Sequence, residues 1–116
     1  MKKKNFLTAA LEPLDHCHEG TGTLRHITLF DASEFESQLR FLNYTVLPPG
    51  TSIGLHKHAQ DEEVYVILEG TGTMTVDGES TPVKPGDVFV NRPWGEHGLV
   101  NDSEEELRIL VFEAGF

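Results

Sequence analysis

From residue 24 onward the chain is a succession of short apolar runs cut by glycine and proline. The runs fall at 24–30, 39–47, 63–69, 72–76, 81–83, 88–91, 98–101 and 107–113. Between them stand Pro48-Pro49-Gly50, Gly70, Asp77-Gly78, Pro85-Gly86-Asp87 and Pro93-Trp94-Gly95. Runs of this length are too short for helices. Many of them at close spacing predict an all-β domain, either a sandwich or a barrel. Asp77-Gly78, between two alternating runs, predicts a two-residue hairpin whose central residues both take positive φ. Helix is limited to one turn within 32–38, with Asp31 or Ser33 as its cap. The first 23 residues are the least patterned and end in Gly20-Thr21-Gly22. They read as an N-terminal arm (1–23) leading into a single barrel domain (24–116).

Two of the runs are apolar on both parities. In 64–68 and 107–112 neither set of alternate residues is polar, whereas a sheet with one wet face alternates cleanly. Something must cover the second face, a second sheet or another subunit, and a homodimer is expected.

The size and composition narrow the picture further. A chain of 116 residues gives one domain with one core. Its net charge of −10 repels nucleic acid and anionic membrane, so neither is expected as a partner. Cys17 is the only cysteine, so no disulfide can form within the chain. The basic start at Met1-Lys2-Lys3-Lys4 precedes an apolar stretch, 6–11, too short for a leader peptide, and no run approaches a membrane span. A cytoplasmic location is the expectation.

The chemistry lies in 50–63. His56 and His58 are two apart, so in extended chain both imidazoles point to one face. Glu63 opens the next apolar run beyond the polar stretch 59–62, and a hairpin there returns its carboxylate to the two rings. His97, after Pro93-Trp94-Gly95-Glu96, offers a third imidazole. Three neutral nitrogens and one carboxylate suit a divalent first-row metal, and on an octahedral ion leave two positions for water or ligand. Each piece alone is ordinary: a His-X-His pair on a loop, a solvated Glu62-Glu63 pair, a histidine capping a turn. Their combination in register carries the weight.

That register resembles the cupin family. Gly50, His56, His58, Glu63 and Gly70 match the first cupin motif, G(X)5HXH(X)3-4E(X)6G, at every spacing. Gly86, Pro93, Gly95, His97 and Asn101 match the second, G(X)5PXG(X)2H(X)3N, with one residue moved from after the glycine to before the proline. The resemblance implies a double-stranded β-helix, or jelly-roll, barrel and a metal held by His56, His58, Glu63 and His97. The ion would be manganese, iron, nickel, zinc or copper. Glu62 is the rival carboxylate; Glu63 is preferred because it keeps the family's distance to Gly70, which leaves Glu62 facing outward. Cupins also pair, sometimes by exchanging an N-terminal strand, and 24–30 is the segment expected to cross.

Around the four ligands, Tyr65 and Ile67 share parity with Glu63, so Tyr65 is the candidate catalytic side chain. Asn101, on the parity of His97, would orient its strand or a water. Phe41 or Leu42, depending on register, would form an apolar wall. Gly54 reads as clearance beside the metal and Trp94 as a lip at the mouth, while Gly70, Gly78, Gly86 and Gly95 read as turn residues. Arg40 and Arg92 are the cations that would test as a second charge for a ligand. His16-Cys17-His18 has the look of a metal tract but lies in the unpatterned arm, so no second site is assigned to it; His26 reads as structural. A divalent ion with one carboxylate keeps a net +1, which favours a small anionic ligand. The family resemblance implies an enzyme acting on a small carboxylate or sugar-derived substrate, with a non-catalytic binding or sensing module as the alternative and a metal-stabilised structural dimer as a third reading.

Overall fold

The computed structural model describes all 116 residues. Ten strands follow one another: β1 (Glu12–Asp15), β2 (Thr23–Asp31), β3 (Leu39–Leu47), β4 (Ser52–Lys57), β5 (Asp61–Glu69), β6 (Gly72–Val76), β7 (Glu79–Val83), β8 (Val88–Asn91), β9 (Glu96–Val100) and β10 (Leu107–Gly115). They form a six-stranded sheet in the order β1-β2-β3-β10-β5-β8 and a four-stranded sheet in the order β4-β9-β6-β7, every pair antiparallel. This is the all-β jelly roll that the short runs and their turns imply.

Each of the eight runs becomes a strand. The hairpin at Asp77-Gly78 takes φ of 48° and 83°, the double left-handed turn that matches the twist of β6 and β7. The helical turn expected within 32–38 is a three-residue 3-10 segment, Ala32–Glu34, closed by a capping box between Asp31 and Glu34.

Two strands lie outside those runs. β4 holds only two large apolar residues, Ile53 and Leu55, and Leu55 is exposed. Its register with β9 shifts between Ile53 and His56, so no clean period of two marks it. β1 lies within the stretch read as an unpatterned arm, yet it pairs along its full length with β2. A second 3-10 turn, Cys17–Glu19, follows it.

Strand alternation sorts the side chains into an interior and an outer layer. Inside are Leu24, Leu47, Ile53, Tyr65, Ile67, Met74, Val83, Leu99, Leu107, Ile109 and Val111. On the back of the large sheet, Leu29, Tyr44 and Val46 form a second cluster with Leu42, Leu68 and Leu110. Phe6 and Leu11 from the N-terminal segment pack onto this cluster, with the Phe6 ring 4.6 Å from that of Tyr44. The doubly apolar strands therefore find part of their cover within the same chain. β2, the segment expected to cross to a partner, pairs here with its own β3.

Asn101 fastens the barrel just beyond β9. Its amide nitrogen donates to the carbonyls of Leu47 (2.8 Å) and Glu105 (2.7 Å), and its oxygen accepts from the backbone N–H and hydroxyl of Ser103. It orients chain, not a water. Asn101→Ala is expected to cost about 2–3 kcal/mol, because it strands a buried carbonyl as well as removing bonds. Chemical denaturation measures this, and a loss below about 0.5 kcal/mol would show that the clamp is idle.

Candidate metal centre

The four candidate ligands arrive from both sheets. His56 on β4 and His97 on β9 are direct cross-strand partners in the small sheet. Glu63 lies on β5 of the large sheet, between Asn91 of β8 and Glu113 of β10. His58 sits in the turn between β4 and β5, where its N–H donates to the Gly95 carbonyl (3.0 Å) and the Trp94 N–H donates to Ala59 (3.0 Å). Those two bonds tie the first histidine loop to the loop that delivers His97. Trp94, not Gly95, takes the left-handed conformation there, at φ 65°. A Cβ at Gly95 would instead press on Asp77 and on the Arg92 carbonyl, so this glycine serves packing.

One donor atom from each of His56, His58, Glu63 and His97 lies within 4.8 Å of all the others. Glu63 and His97 are buried and the other two histidines are half-buried. The tautomers are arranged by neighbours. His56 Nδ1 donates to the Gly54 carbonyl at 2.8 Å, and His58 Nδ1 to Asp61 Oδ1 at 2.8 Å. Each bond leaves the Nε2 lone pair free, as a ligating histidine requires. His58 Nε2 is buried with no hydrogen-bond partner, 3.3 Å from Glu63 Oε1, while His97 Nε2 lies 2.9 Å from the same oxygen. An orphaned buried nitrogen aimed at a carboxylate and two further imidazoles is a costly arrangement for the bare protein. A divalent ion would satisfy it, so the residues fit a metal.

The electrostatics agree. Burial, together with His97 and His18, brings His56 down to about 4, so its ring is neutral at physiological pH. Burial, and after it the negative charge of Glu63, holds the Tyr65 phenol well above its ordinary value. Tyr65 points inward as its parity implies, with its ring edge-on to His97 at 5.2 Å. In that state it is a proton donor and not a base. Glu62 lies outside the cluster.

Several side chains the sequence left open are now placed. Phe41 faces inward with the core, and Leu42 lies on the outer layer. Arg40 pairs with Asp61 (3.2 Å) and Glu113 (3.8 Å), so it steadies the carboxylate behind His58; Arg92 is exposed. Trp94 is 70% exposed beside the histidine loops. His26 donates to or accepts from the Thr45 hydroxyl at 3.0 Å. Asn91, opposite Glu63, is fully buried with both amide atoms unpartnered, a polar feature no spacing rule points to.

The tract His16-Cys17-His18 is the main departure. Its 3-10 turn carries His18 onto the mouth of the cluster, where the ring stacks on His56 at 3.6 Å and 9°. Gly54 gives clearance, but to the backbone of this turn: a Cβ there would run into the His18 carbonyl.

Comparison with known proteins agrees with this architecture. Residues 43–113 match the model of the cupin domain family, well over half of the chain, and the chain belongs to that family. It is 31% identical over 100 residues to an oxalate-binding protein of Thermotoga maritima, covering 86% of this chain and 83% of the relative. The crystal structure of a protein described as a predicted oxalate decarboxylase, also from Thermotoga maritima, superposes with a TM-score of 0.93 at 28% identity, over 97% of both chains. A gentisate 1,2-dioxygenase of Aquipseudomonas alcaligenes is 36% identical over 59 residues, which is 51% of this chain but only 17% of that enzyme.

Proposed function

We propose that this cupin holds one divalent transition-metal ion at His56, His58, Glu63 and His97 and acts on a small carboxylate there. The observation that carries the reading is the buried, unpartnered His58 Nε2, fixed by Asp61 and facing Glu63 among three imidazoles. The donor set suits manganese, iron, nickel, zinc or copper. When bound, the ion supplies a Lewis acid of net charge +1 to an anionic ligand. The chain's own part is to desolvate that charge, which strengthens its attraction for a carboxylate relative to water. Tyr65, kept protonated, is placed to donate a hydrogen bond near Glu63. The likeness to an oxalate-binding protein over most of both chains supports a small acid over a sugar.

Calorimetry on the metal-loaded protein tests the reading. Oxalate is expected to bind at physiological salt, because screening weakens the long-range repulsion from the −10 surface and leaves the buried contact intact. Heat with a neutral sugar and none with oxalate would overturn it. Metal-dependent turnover of the acid separates an enzyme from the alternative, a binding or sensing module. The alternative draws support from the same relative, whose name records binding alone.

The chain is also proposed to be a homodimer. Phe35, Leu39, Leu42, Leu110 and Phe112 line a wholly apolar surface groove of about 370 Å³, and Val88 and Val90 on the edge strand β8 are more than half exposed. A continuous apolar face of this kind is what a self-complementary pair covers. Light scattering is expected to report twice the 12.9 kDa chain mass, and a stable monomer at micromolar concentration would refute the dimer.

A further inference from the structure

Beneath His18 lies a chamber of about 90 Å³, walled by Cys17 and His18 above and by Phe41, Ile53, Tyr65 and Val111 within the barrel. Glu63 belongs both to this chamber and to the ligand cluster, so the chamber opens directly beside the metal centre. Part of its wall is polar: His26 and Thr45 line it, joined by their hydrogen bond, and so does Asn43, whose Oδ1 is buried without a partner. A volume of about 90 Å³ is a little over half the ~150 Å³ of an apolar cavity that takes up benzene. A ligand whose carboxylate sits at the metal therefore has room for only a few more heavy atoms. An aromatic ring is therefore disfavoured there.

The cap over this chamber is held in a costly conformation. His16, His18 and Glu19 all take positive φ, at 48°, 50° and 63°, although none is glycine. Such strain persists only where the surroundings over-determine it, and here they do. The turn is closed by bonds from Glu19 N–H to His16 and from Gly20 N–H to Cys17 (both 2.9 Å). It is fastened to β4 by Ser52 N–H to the Thr21 carbonyl (3.0 Å) and Thr21 N–H to the Ser52 hydroxyl (2.8 Å). Gly20 and Gly54 let the two backbones touch, since a Cβ on either would collide with main chain of the other segment. A loose arm would need none of this.

We infer that the 16–20 turn is a fixed size-selecting cap: Cys17 and His18 limit the ligand of the metal centre to acids of two or three carbons with a second polar group, and exclude aromatic acids. The inference rests on the carboxylate reading above and names the substrate class for that same site. The polar wall gives the second group its partner: with Nδ1 accepting from the Thr45 hydroxyl, the His26 ring donates to a carboxylate, whereas Asn43 Oδ1 accepts only from a hydroxyl or a water.

The test uses the metal-loaded full chain and three probes: oxalate, malonate and salicylate. Wild type is expected to bind oxalate at least about tenfold more tightly than salicylate, the scale of a single steric misfit. His18→Ala with Cys17→Ala opens the cap and is expected to narrow that ratio about tenfold, with metal content unchanged. Cys17→Leu fills the chamber and is expected to weaken oxalate and malonate together, again with metal retained. Salicylate binding wild type as tightly as oxalate, or a ratio unmoved by either variant, would overturn the cap while leaving the carboxylate site standing. Loss of metal in the Cys17 or His18 variants would also overturn it, because these residues would then be ligands. If no acid binds wild type, the carboxylate reading falls and the cap falls with it.

Discussion

His97→Ala is expected to leave the protein folded and nearly free of metal. His97 is 1% exposed, and its ring is enclosed by His58, stacked at 4.7 Å and 7°, and by the edges of His56 (4.3 Å) and Tyr65 (5.2 Å). Its Nε2 lies 2.9 Å from Glu63, so the substitution removes one proposed ligand and the hydrogen-bond partner of another. Replacing a residue that only hydrogen-bonds a ligand typically lowers metal affinity 10- to 100-fold, and losing a ligand outright should exceed about 100-fold. The truncation also leaves a cavity, which places the stability loss of the apoprotein at about 2 kcal/mol. The two effects separate cleanly. Elemental analysis after dialysis reads the metal, and denaturation without metal reads the cavity. A variant that retains stoichiometric metal ends the four-ligand assignment, whatever its stability.

The behaviour of Asp61 refines this picture. Asp61 accepts from His58 Nδ1 and is itself held by Arg40, so it acts on the metal only through the ring it orients. Its removal belongs in the 10- to 100-fold range and not beyond it. Glu113 stands 3.5 Å from the same Nδ1, and burial raises its carboxyl above the ordinary range, with Asp61 and Glu63 adding to the effect. Three carboxylates around one imidazole explain why Arg40 stays on the rim and not at the ligand.

What the sequence made legible follows from the range of the interactions concerned. Strands β5, β6, β8 and β10 announce themselves as short apolar runs bounded by nearby turn residues, which are short-range signals. The histidine–glutamate set is legible because a metal shell demands fixed residue types, and motif spacing records the hairpin geometry that unites them. The position of His18 depends on the opposite kind of cause. It arises from three non-glycine residues forced left-handed and from two glycines, 20 and 54, that touch across 34 positions of chain. No local propensity favours that turn, so the segment reads as unpatterned. Trp94 and Gly95 show the same thing on a smaller scale: composition alone gives the left-handed position to the glycine, whereas packing against Asp77 assigns it to the tryptophan. Asn101 and Asn91 divide similarly. Asn101 shares the parity of His97 whereas no spacing rule marks Asn91, and only the fold reveals that one is fully bonded and the other has no partner.

Glu63→Gln and Glu62→Gln, adjacent and chemically identical changes, are expected to differ by about two orders of magnitude in metal affinity. Glu63 is 6% exposed and lies against His97 Nε2 and His58 Nε2, in the one cluster where a donor from each of four residues comes within 4.8 Å. Glu62 is half-buried, pairs across the sheet with Ala114 and contributes no atom to that cluster. The amide preserves the shape and hydrogen-bonding reach of the side chain, so the fold should survive both changes. What it removes at position 63 is the only negative charge offered to the ion by the four candidate ligands. Three imidazoles alone hold a divalent ion without neutralising any of its charge, and a carbonyl-type oxygen is a weaker donor to such an ion than a carboxylate. The expected loss at Glu63 is about 100-fold or more, and at Glu62 it is within about twofold, the range of an ordinary surface change. Without metal, the two variants should unfold within about 1 kcal/mol of each other. Competition titration against a chelator of known affinity gives both numbers. Equal losses, or a greater loss at Glu62, would move the carboxylate ligand one residue along β5 and with it the face of the strand that lines the site.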